Sequence, residues 1–355
     1  MNLKKLREAI DSIDAGILDL LNRRAKVILE IGKIKAAHSQ SIYAPDRETD
    51  VYKKALARNK GPLSDKAVAA IYREIMSGSF QLEKPLTIAY LGPEYTFTHL
   101  ASLKKFGSSV NYLSLDTIKD VFAEVEKGRA DYGVVPIENS IEGAVNHTLD
   151  MFMDSDLKIC SEVFLEITHN LLSKETDKSK IKKIYSKAEV FGQCRLWLEA
   201  NLPKVELIEV SSTARAAAIA SKERGAACIA SELAGKKHKL NLLYGSIEDS
   251  SHNVTRFLVI GNTDVKPTKD DKTSIMVSIK DKIGGLHNML LPFKKYGINL
   301  TKIESRPSKT RAWEYYFFVD MEGHYRDGAV SKALGLLRKT TTYVKVLGSY
   351  PAAVS

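Results

Sequence analysis

Arg24 interrupts a row of apolar residues at positions 3, 6, 10, 13, 17, 20, 27, 31 and 34, whose steps of three and four break only at its place. On a helix this puts a guanidinium among Leu20, Val27 and Ile28, where an uncompensated charge is costly. Lys35 falls three turns further along the same face, and Arg7 stands beside Leu6 near the start. Cations on an apolar stripe call for something anionic: a small ligand, or an internal acid such as Glu48 that fixes the packing.

Polar clusters of a second kind follow short β-rich runs. They are Gly92 to Phe97, Pro136 to Gly143, Ser211 to Arg215 and Asn253 to Phe257. Strand ends are where α/β sheets bind ligands. Taken singly, each cluster is better explained as a helix cap, because Ser and Thr satisfy the first free N–H groups. Near the C-terminus, Gly284-Gly285-Leu286 opens an expected helix, and Glu304-Ser305-Arg306-Pro307 closes an expected strand. Such glycines let backbone N–H groups meet a carboxylate, or they make a tight turn.

The elements that must position these residues fall into three blocks. The apolar stripe predicts a helix on the order of 50 Å long, more than a small domain can cover, so a partner chain is expected against it. Tyr43-Ala44-Pro45 ends this segment, and further helices are expected over Asp46 to Asn59 and Ser64 to Gln81. After Pro85 the pattern becomes α/β, with strands expected at 86–91, 110–113, 132–136, 158–169 and 181–185. The polar stretch 262–272 predicts a linker. Beyond it the order is βαββαβ, a ferredoxin-like α+β sandwich: strand 274–280, helix 286–296, strands 299–305 and 314–321, helix 329–338, strand 343–347.

At 355 residues, 44% hydrophobic and 27% charged, the chain suits two to four compact globular units. It has no run long enough for a membrane span and no apolar signal core, so it is expected in the cytoplasm. Cys160, Cys194 and Cys228 lack metal or disulfide spacing, and neither zinc nor any other metal is expected. The net charge of +10 is dispersed, and the Lys236 to Lys239 run lacks interleaved aromatics, so a solvated face is expected and no nucleic-acid site.

The segments LREAIDSID, LLNRR, IGKIK and PDRETD resemble the all-helical chorismate mutase, an intertwined homodimer, over residues 1–84. The resemblance implies that Arg24 and the partner subunit's Arg7 hold the carboxylates of chorismate. It implies further that Lys35 faces the ether oxygen and Glu48 the ring hydroxyl, while Arg47, Ser79 and Glu83 complete the pocket. The implied reaction is a pericyclic rearrangement without cofactor. Ala44 stands where some members carry aspartate, and Glu83 where others carry glutamine.

Together the middle clusters, with Gln193-Cys194 and Ile247-Glu248-Asp249, resemble prephenate dehydratase over residues 86–261. The family fold is two α/β lobes around a cleft. Its Thr-Arg-Phe motif implies that Thr255 contacts the departing hydroxyl, with Thr96, Glu138, Asn139, Ser140, Ser212, Thr213 and Arg256 as substrate-holding candidates, Arg256 being equally able to serve as a structural ion-pair partner. Glu138, Glu142 and His147 are candidate helpers, and Tyr95 stands where glycine is usual.

The last block, residues 273–350, resembles an ACT domain. Phenylalanine would bind between paired ACT domains at Gly284, Gly285, Leu286 and His287 with Glu304, Ser305, Arg306 and Pro307, and pairing would offer a route from dimer to tetramer. The whole is similar to the bifunctional chorismate mutase/prephenate dehydratase family, whose substrates are chorismate and prephenate. The competing readings are a non-enzymatic amino-acid sensor, and an enzyme with only one of the two activities.

Overall fold

Asn2 caps the first helix by accepting from the Lys4 N–H at 3.2 Å, and the helix then runs 35 residues as α1 (Leu3–Ala37). The computed structural model describes residues 2–38, 41–280, 282–307 and 315–353. Its residues cluster into two compact units, Met1–Thr87 with Lys105–Asn111, and Ile88–Lys104 with Tyr112–Ser355.

In the first unit α1 is followed by α2 (Pro45–Arg58) and α3 (Asp65–Glu83). Pro45 suits the first turn of α2 because a helix start needs no N–H there. Ser64 caps α3 through the Ala67 N–H. The core is aromatic: the ring of fully buried Tyr43 lies 5.8 Å from Phe80 and 5.1 Å from Phe106. No residue of α1 is buried, and Ile10, Ile13, Ile17, Leu20, Val27 and Ile34 are each at least 50% exposed. The apolar stripe is therefore uncovered within one chain.

The second unit alternates strands and helices. First come β1 (Thr87–Leu91), α4 (Phe97–Phe106), β2 (Asn111–Leu115), α5 (Ile118–Glu126), β3 (Tyr132–Asn139), β4 (Gly143–Ala144), α6 (Asn146–Asp154) and β5 (Lys158–Glu166). There follow β6 (Asn170–Ser173), β7 (Lys183–Ser186), α7 (Ala188–Gln193), α8 (Arg195–Asn201), β8 (Glu206–Glu209), α9 (Thr213–Ala220), β9 (Ala226–Ala230), α10 (Glu232–His238), β10 (Asn241–Tyr244) and β11 (Val254–Gly261). One sheet has the order β2-β1-β3-β11-β5 with β4 on β3, and a second has β10-β6-β9-β7-β8. The strand expected over 158–169 ends three residues early as β5, and β6 of the other sheet begins just after it at Asn170. The chain crosses between them at Ile167 to His169 and returns at Ile247 to Asn253. Backbone bonds tie these crossings together, Ile167 N–H to Asn253 O at 2.8 Å and Ile247 N–H to His169 O at 2.9 Å.

The last elements are β12 (Asp271–Ile279), α11 (Gly285–Lys295), β13 (Leu300–Pro307), β14 (Tyr315–Glu322), α12 (Gly328–Thr340) and β15 (Tyr343–Pro351). The βαββαβ order is as expected, in an antiparallel sheet β13-β14-β12-β15. Glu314, expected to begin the third strand of this block, lies outside the described residues. Met276, Phe318, Leu347 and Tyr350 of this sheet share a core with Phe122, Phe152 and Leu258. The expected linker is tied down as well. The Asp271 carboxylate takes the Thr268 N–H and hydroxyl, each at 2.7 Å, and buried His324 meets Val265 O at 2.9 Å.

Candidate active sites

In the helical unit α1 presents Arg24 and Lys35 toward α3, which carries Ser79 and Glu83 one turn apart. Arg24 Nη1 donates to Ser79 Oγ, whose own hydrogen goes to Ile75 O at 2.8 Å. Lys35 Nζ donates to Glu83 Oε2 and to Ile42 O, both at 2.9 Å. Burial pulls the Arg24 guanidinium below its ordinary value; Tyr72 and Glu83 oppose the shift and Arg47 adds to it. Glu48 is buried but is not the partner of Arg24. It accepts from Tyr43 Oη at 3.1 Å and pairs with Lys105 Nζ at 2.7 Å. Arg24 therefore meets a neutral hydroxyl at hydrogen-bond distance. Arg47 is exposed and pairs with Asp50. Exposed Arg7 lies seventeen residues before Arg24, about 25 Å along the helix, so one chain cannot bring both to one pocket.

In the second unit Thr255 on β11 is the register partner of Asn139 on β3. Asn139 Nδ2 donates to Thr255 Oγ1 at 2.8 Å and to Asn253 Oδ1 at 2.7 Å. Its Oδ1 accepts the N–H groups of Ile141 and Glu142 at 2.9 and 3.0 Å, which fixes the amide's direction. Asn253 Nδ2 continues to Gln193 Oε1 at 2.9 Å, and Gln193 Nε2 donates to Glu142 Oε1 at 2.8 Å. Ser140 stitches the same turn down, its hydroxyl donating to His252 O at 2.7 Å and accepting from the Val254 N–H at 2.9 Å. Sequence reasoning noticed Gln193 and Asn253 only as parts of motifs. Their side-chain roles appear once the crossing segment brings α7 beside the β3–β4 turn.

Glu138 and Arg256 form the next register pair, on the strand face opposite Thr255 because successive strand residues alternate, and Arg256 takes the ion-pair role that was the alternative to holding substrate. Arg256 is 4% exposed and is held by Glu162 at 2.8 Å, Glu138 at 3.0 Å, Asp320 at 2.6 Å and Tyr350 Oη at 2.9 Å. Burial lowers its proton affinity, yet Tyr350, Asp320 and Glu162 outweigh that and raise it well above the ordinary value. Glu138 also pairs with Lys302 on β13. Its desolvation is outweighed by Lys302 and Arg256, which hold the carboxyl below its usual range.

The remaining candidates take local roles. Thr96 Oγ1 donates to Pro93 O at 2.9 Å, and Ser212 caps α9 through the Arg215 N–H, with buried Thr213 as its first residue. His147 is exposed at the start of α6. Tyr95 sits at φ +70, where glycine is unstrained and a side chain is not. Gly284 caps α11 at φ +74, and Leu286 and His287 after it are exposed. On β13 Lys302, Glu304 and Arg306 are half-buried while Ser305 and Pro307 face out. The Arg306 guanidinium pairs through Nε and Nη2 with Asp150 of α6, at 3.0 Å at its shortest. Among the described residues no cluster of His, Cys, Asp or Glu could hold a metal, and no helix is long and apolar enough to cross a membrane.

Residues 6–84 match the family model of chorismate mutase type II, and residues 88–265 that of prephenate dehydratase. Two enzyme domains in one chain make this a bifunctional enzyme, an isomerase joined to a lyase. The bifunctional chorismate mutase/prephenate dehydratase of Aquifex aeolicus is 52% identical over 99% of this chain and 98% of its own length. That of Escherichia coli K12 is 31% identical over 99% and 96%. Among solved structures, the prephenate dehydratase of Arthrobacter aurescens in complex with L-Phe is 32% identical at a TM-score of 0.70, covering 75% of this chain and 90% of that one. The chain belongs to the bifunctional chorismate mutase/prephenate dehydratase family.

Proposed function

We propose that the two constellations divide the work of converting chorismate to prephenate and prephenate to phenylpyruvate. The observation that carries the reading is that Arg24 and Lys35 of α1 converge on Ser79 and Glu83 of α3. Chorismate is a dianion, and cations fixed on a largely apolar helix can hold its compact conformer while Lys35 meets charge growing on the ether oxygen. Glu48, oriented by Tyr43 and Lys105, takes the ring hydroxyl. Arg7 comes from a second copy whose α1 covers the open apolar stripe, giving a homodimer.

In the second reaction Thr255 meets the departing ring hydroxyl. The carbon–carbon bond to the ring carboxylate breaks and releases carbon dioxide, its electron pair aromatises the ring, and the hydroxyl leaves as water after taking one proton. Asn139 and Gln193 line this cleft between two α/β lobes. The C-terminal βαββαβ block, residues 273–350, is an ACT domain that binds phenylalanine at the start of α11 and along β13 and inhibits the enzyme. The L-Phe complex of the Arthrobacter relative supports this part. The enzyme works in the cytoplasm.

Chorismate loss and phenylpyruvate formation by purified protein test the division. Arg24→Ala is expected to abolish the first and spare dehydration of added prephenate, and Thr255→Ala to do the reverse. Joint loss of both activities in either variant would refute separate sites.

A further inference from the structure

The amide chain beside Thr255 has a fixed direction that can be followed atom by atom. Backbone N–H groups only donate, so the Asn139 atom facing Ile141 and Glu142 is Oδ1, and Nδ2 is turned toward Thr255 and Asn253. Asn253 must then offer Oδ1 to Asn139 and Nδ2 to Gln193 Oε1. The same orientation follows from the other end, because Gln193 can reach the Glu142 carboxylate only with its NH2 group. Thr255 Oγ1 is thus an acceptor in this chain, and among the described residues its hydrogen goes to no protein acceptor.

Gln193 Oε1 has a second neighbour, His169 Nε2 at 2.7 Å. Since Oε1 can only accept, His169 must carry its proton on Nε2. The ring is 1% exposed, and its Nδ1 has no partner among the described residues. A proton on Nδ1 would be buried without an acceptor, which disfavours both the other tautomer and the charged ring. Phe97 packs edge-on against the imidazole at 5.7 Å, and the backbone N–H of His169 donates to Glu248 Oε2 at 2.8 Å. Burial also holds the imidazole below its usual range, against the bond to Gln193 and the charge of Glu248.

We infer that His169 is a positioning residue for the dehydratase reaction: its Nε2–H anchors Gln193 Oε1 and, together with the Glu142 carboxylate and the backbone N–H groups on Asn139, keeps Gln193, Asn253 and Asn139 in place, so that the Thr255 hydroxyl hydrogen is left for the departing oxygen. The inference rests on the reading of Thr255 as the group that meets that oxygen. Without the His169 donor, Gln193 is held only by Glu142 and Asn253, and any shift of its amide passes to Asn253 and Asn139, which have fixed partners of their own. Thr255 would then lose the bond that determines where its hydrogen points.

Three variants of the full-length enzyme test this, with chorismate mutase turnover of the same sample as the folding control. Glutamine places its NH2 group near the position of imidazole Nε2, leucine has no donor, and asparagine reaches only the Nδ1 position. Misplacement at a reacting group can cost on the order of a hundredfold, so His169→Leu and His169→Asn are expected to lower dehydratase kcat by about ten- to a hundredfold. Prephenate KM is expected to change less than kcat, because the bond lost is the one that aims the Thr255 hydrogen. His169→Gln is expected to recover most of kcat. Nitrogen-15 spectra of histidine-labelled enzyme, with the signal assigned by its loss in His169→Gln, are expected to show a neutral Nε2–H ring. Equal kcat in the Gln and Leu variants, a change confined to KM, or an Nδ1–H or charged ring would each overturn the inference. If Thr255→Ala kept its dehydratase activity, the reading of the site itself would fall instead.

Discussion

Asn139 and Thr255 face each other across the β3–β11 ladder, joined by a 2.8 Å bond from Asn139 Nδ2 to Thr255 Oγ1. One residue back on β3 and one on along β11, Glu138 and Arg256 form the matching pair on the opposite face at 3.0 Å. The two faces of one pair of strands therefore do different work. One carries the amide chain, and the other locks the strands to Glu162, to Asp320 and Tyr350 of the C-terminal block, and to Lys302 on β13. A shift of β13 relative to β3 would act on the rungs that hold Thr255.

Glu83 gives a prediction for the first reaction. Its carboxylate accepts from Lys35 Nζ at 2.9 Å, so the cation expected at the ether oxygen is partly spent on an internal acid. Glu83→Gln would release Lys35 and add an N–H donor at the same place. We expect mutase kcat/KM to rise at neutral pH by about tenfold, the worth of roughly one charge-assisted hydrogen bond. Profiles of chorismate consumption from acid to neutral pH check this. A variant slower than wild type throughout would mean that the carboxylate itself is needed.

The sequence made the helical site legible because its signal is local. A guanidinium that interrupts an apolar stripe at helical spacing is visible without a structure, and Arg24 and Lys35 do face α3 together. The βαββαβ order was legible for the same reason. What remained hidden depends on register and crossings. The alternation that sends Arg256 away from Thr255 follows from the strand period, but the acids waiting for it lie on β3, β5 and β14. His169 gives no sequence signal: a lone histidine at a strand end is ordinary until a crossing sets it against Gln193. Thr96 and Ser212 serve as local stops, which capping preference alone would have said.

Arg256 gives a prediction for stability. Removing one partner of a buried ion pair leaves its counter-charges stranded, at a cost of about 3–5 kcal/mol. Arg256→Met should lower the stability of the second unit by that order in urea unfolding. A loss below about 1 kcal/mol would mean that the acids simply take up protons. The pH dependence has a definite sign. The Glu138 carboxyl lies below its ordinary range in the fold, so its contribution is complete above the usual carboxylate pKa and is lost as pH falls through the folded value. Glu138→Gln should therefore destabilise at neutral pH and converge on wild type in acid, which melting temperatures across pH will show.

Lys302 separates ligand binding from its effect. It lies on β13 two residues before Glu304 and pairs with Glu138, the neighbour of Asn139. If phenylalanine acts by moving β13, Lys302→Met should bind phenylalanine with affinity within about threefold of wild type while inhibition weakens, the coupling and not the site being lost. Calorimetry with phenylalanine, set beside inhibition curves, reads the two quantities independently. Unchanged inhibition would exclude this salt bridge as the link.

The uncovered stripe on α1 and the distance from Arg7 to Arg24 make a prediction about a second copy of the chain. If each mutase site takes Arg24 from one copy and Arg7 from the other, Arg7→Ala and Arg24→Ala homodimers should both be nearly inactive. A heterodimer of the two then has one site with both changes and one with neither. Unfolding and refolding an equal mixture should produce about half heterodimers, and so recover about a quarter of wild-type mutase activity. Dehydratase activity, which needs neither arginine, should be the same before and after mixing and so reports the refolded yield. Mutase activity that stays at the level of the separate variants would mean that the site is built within one chain, and Arg7 would then have no part in it. Ile17→Asp should give the complementary result. A charge at the centre of the stripe would shift sedimentation toward monomer and remove mutase activity with it, while prephenate would still be converted.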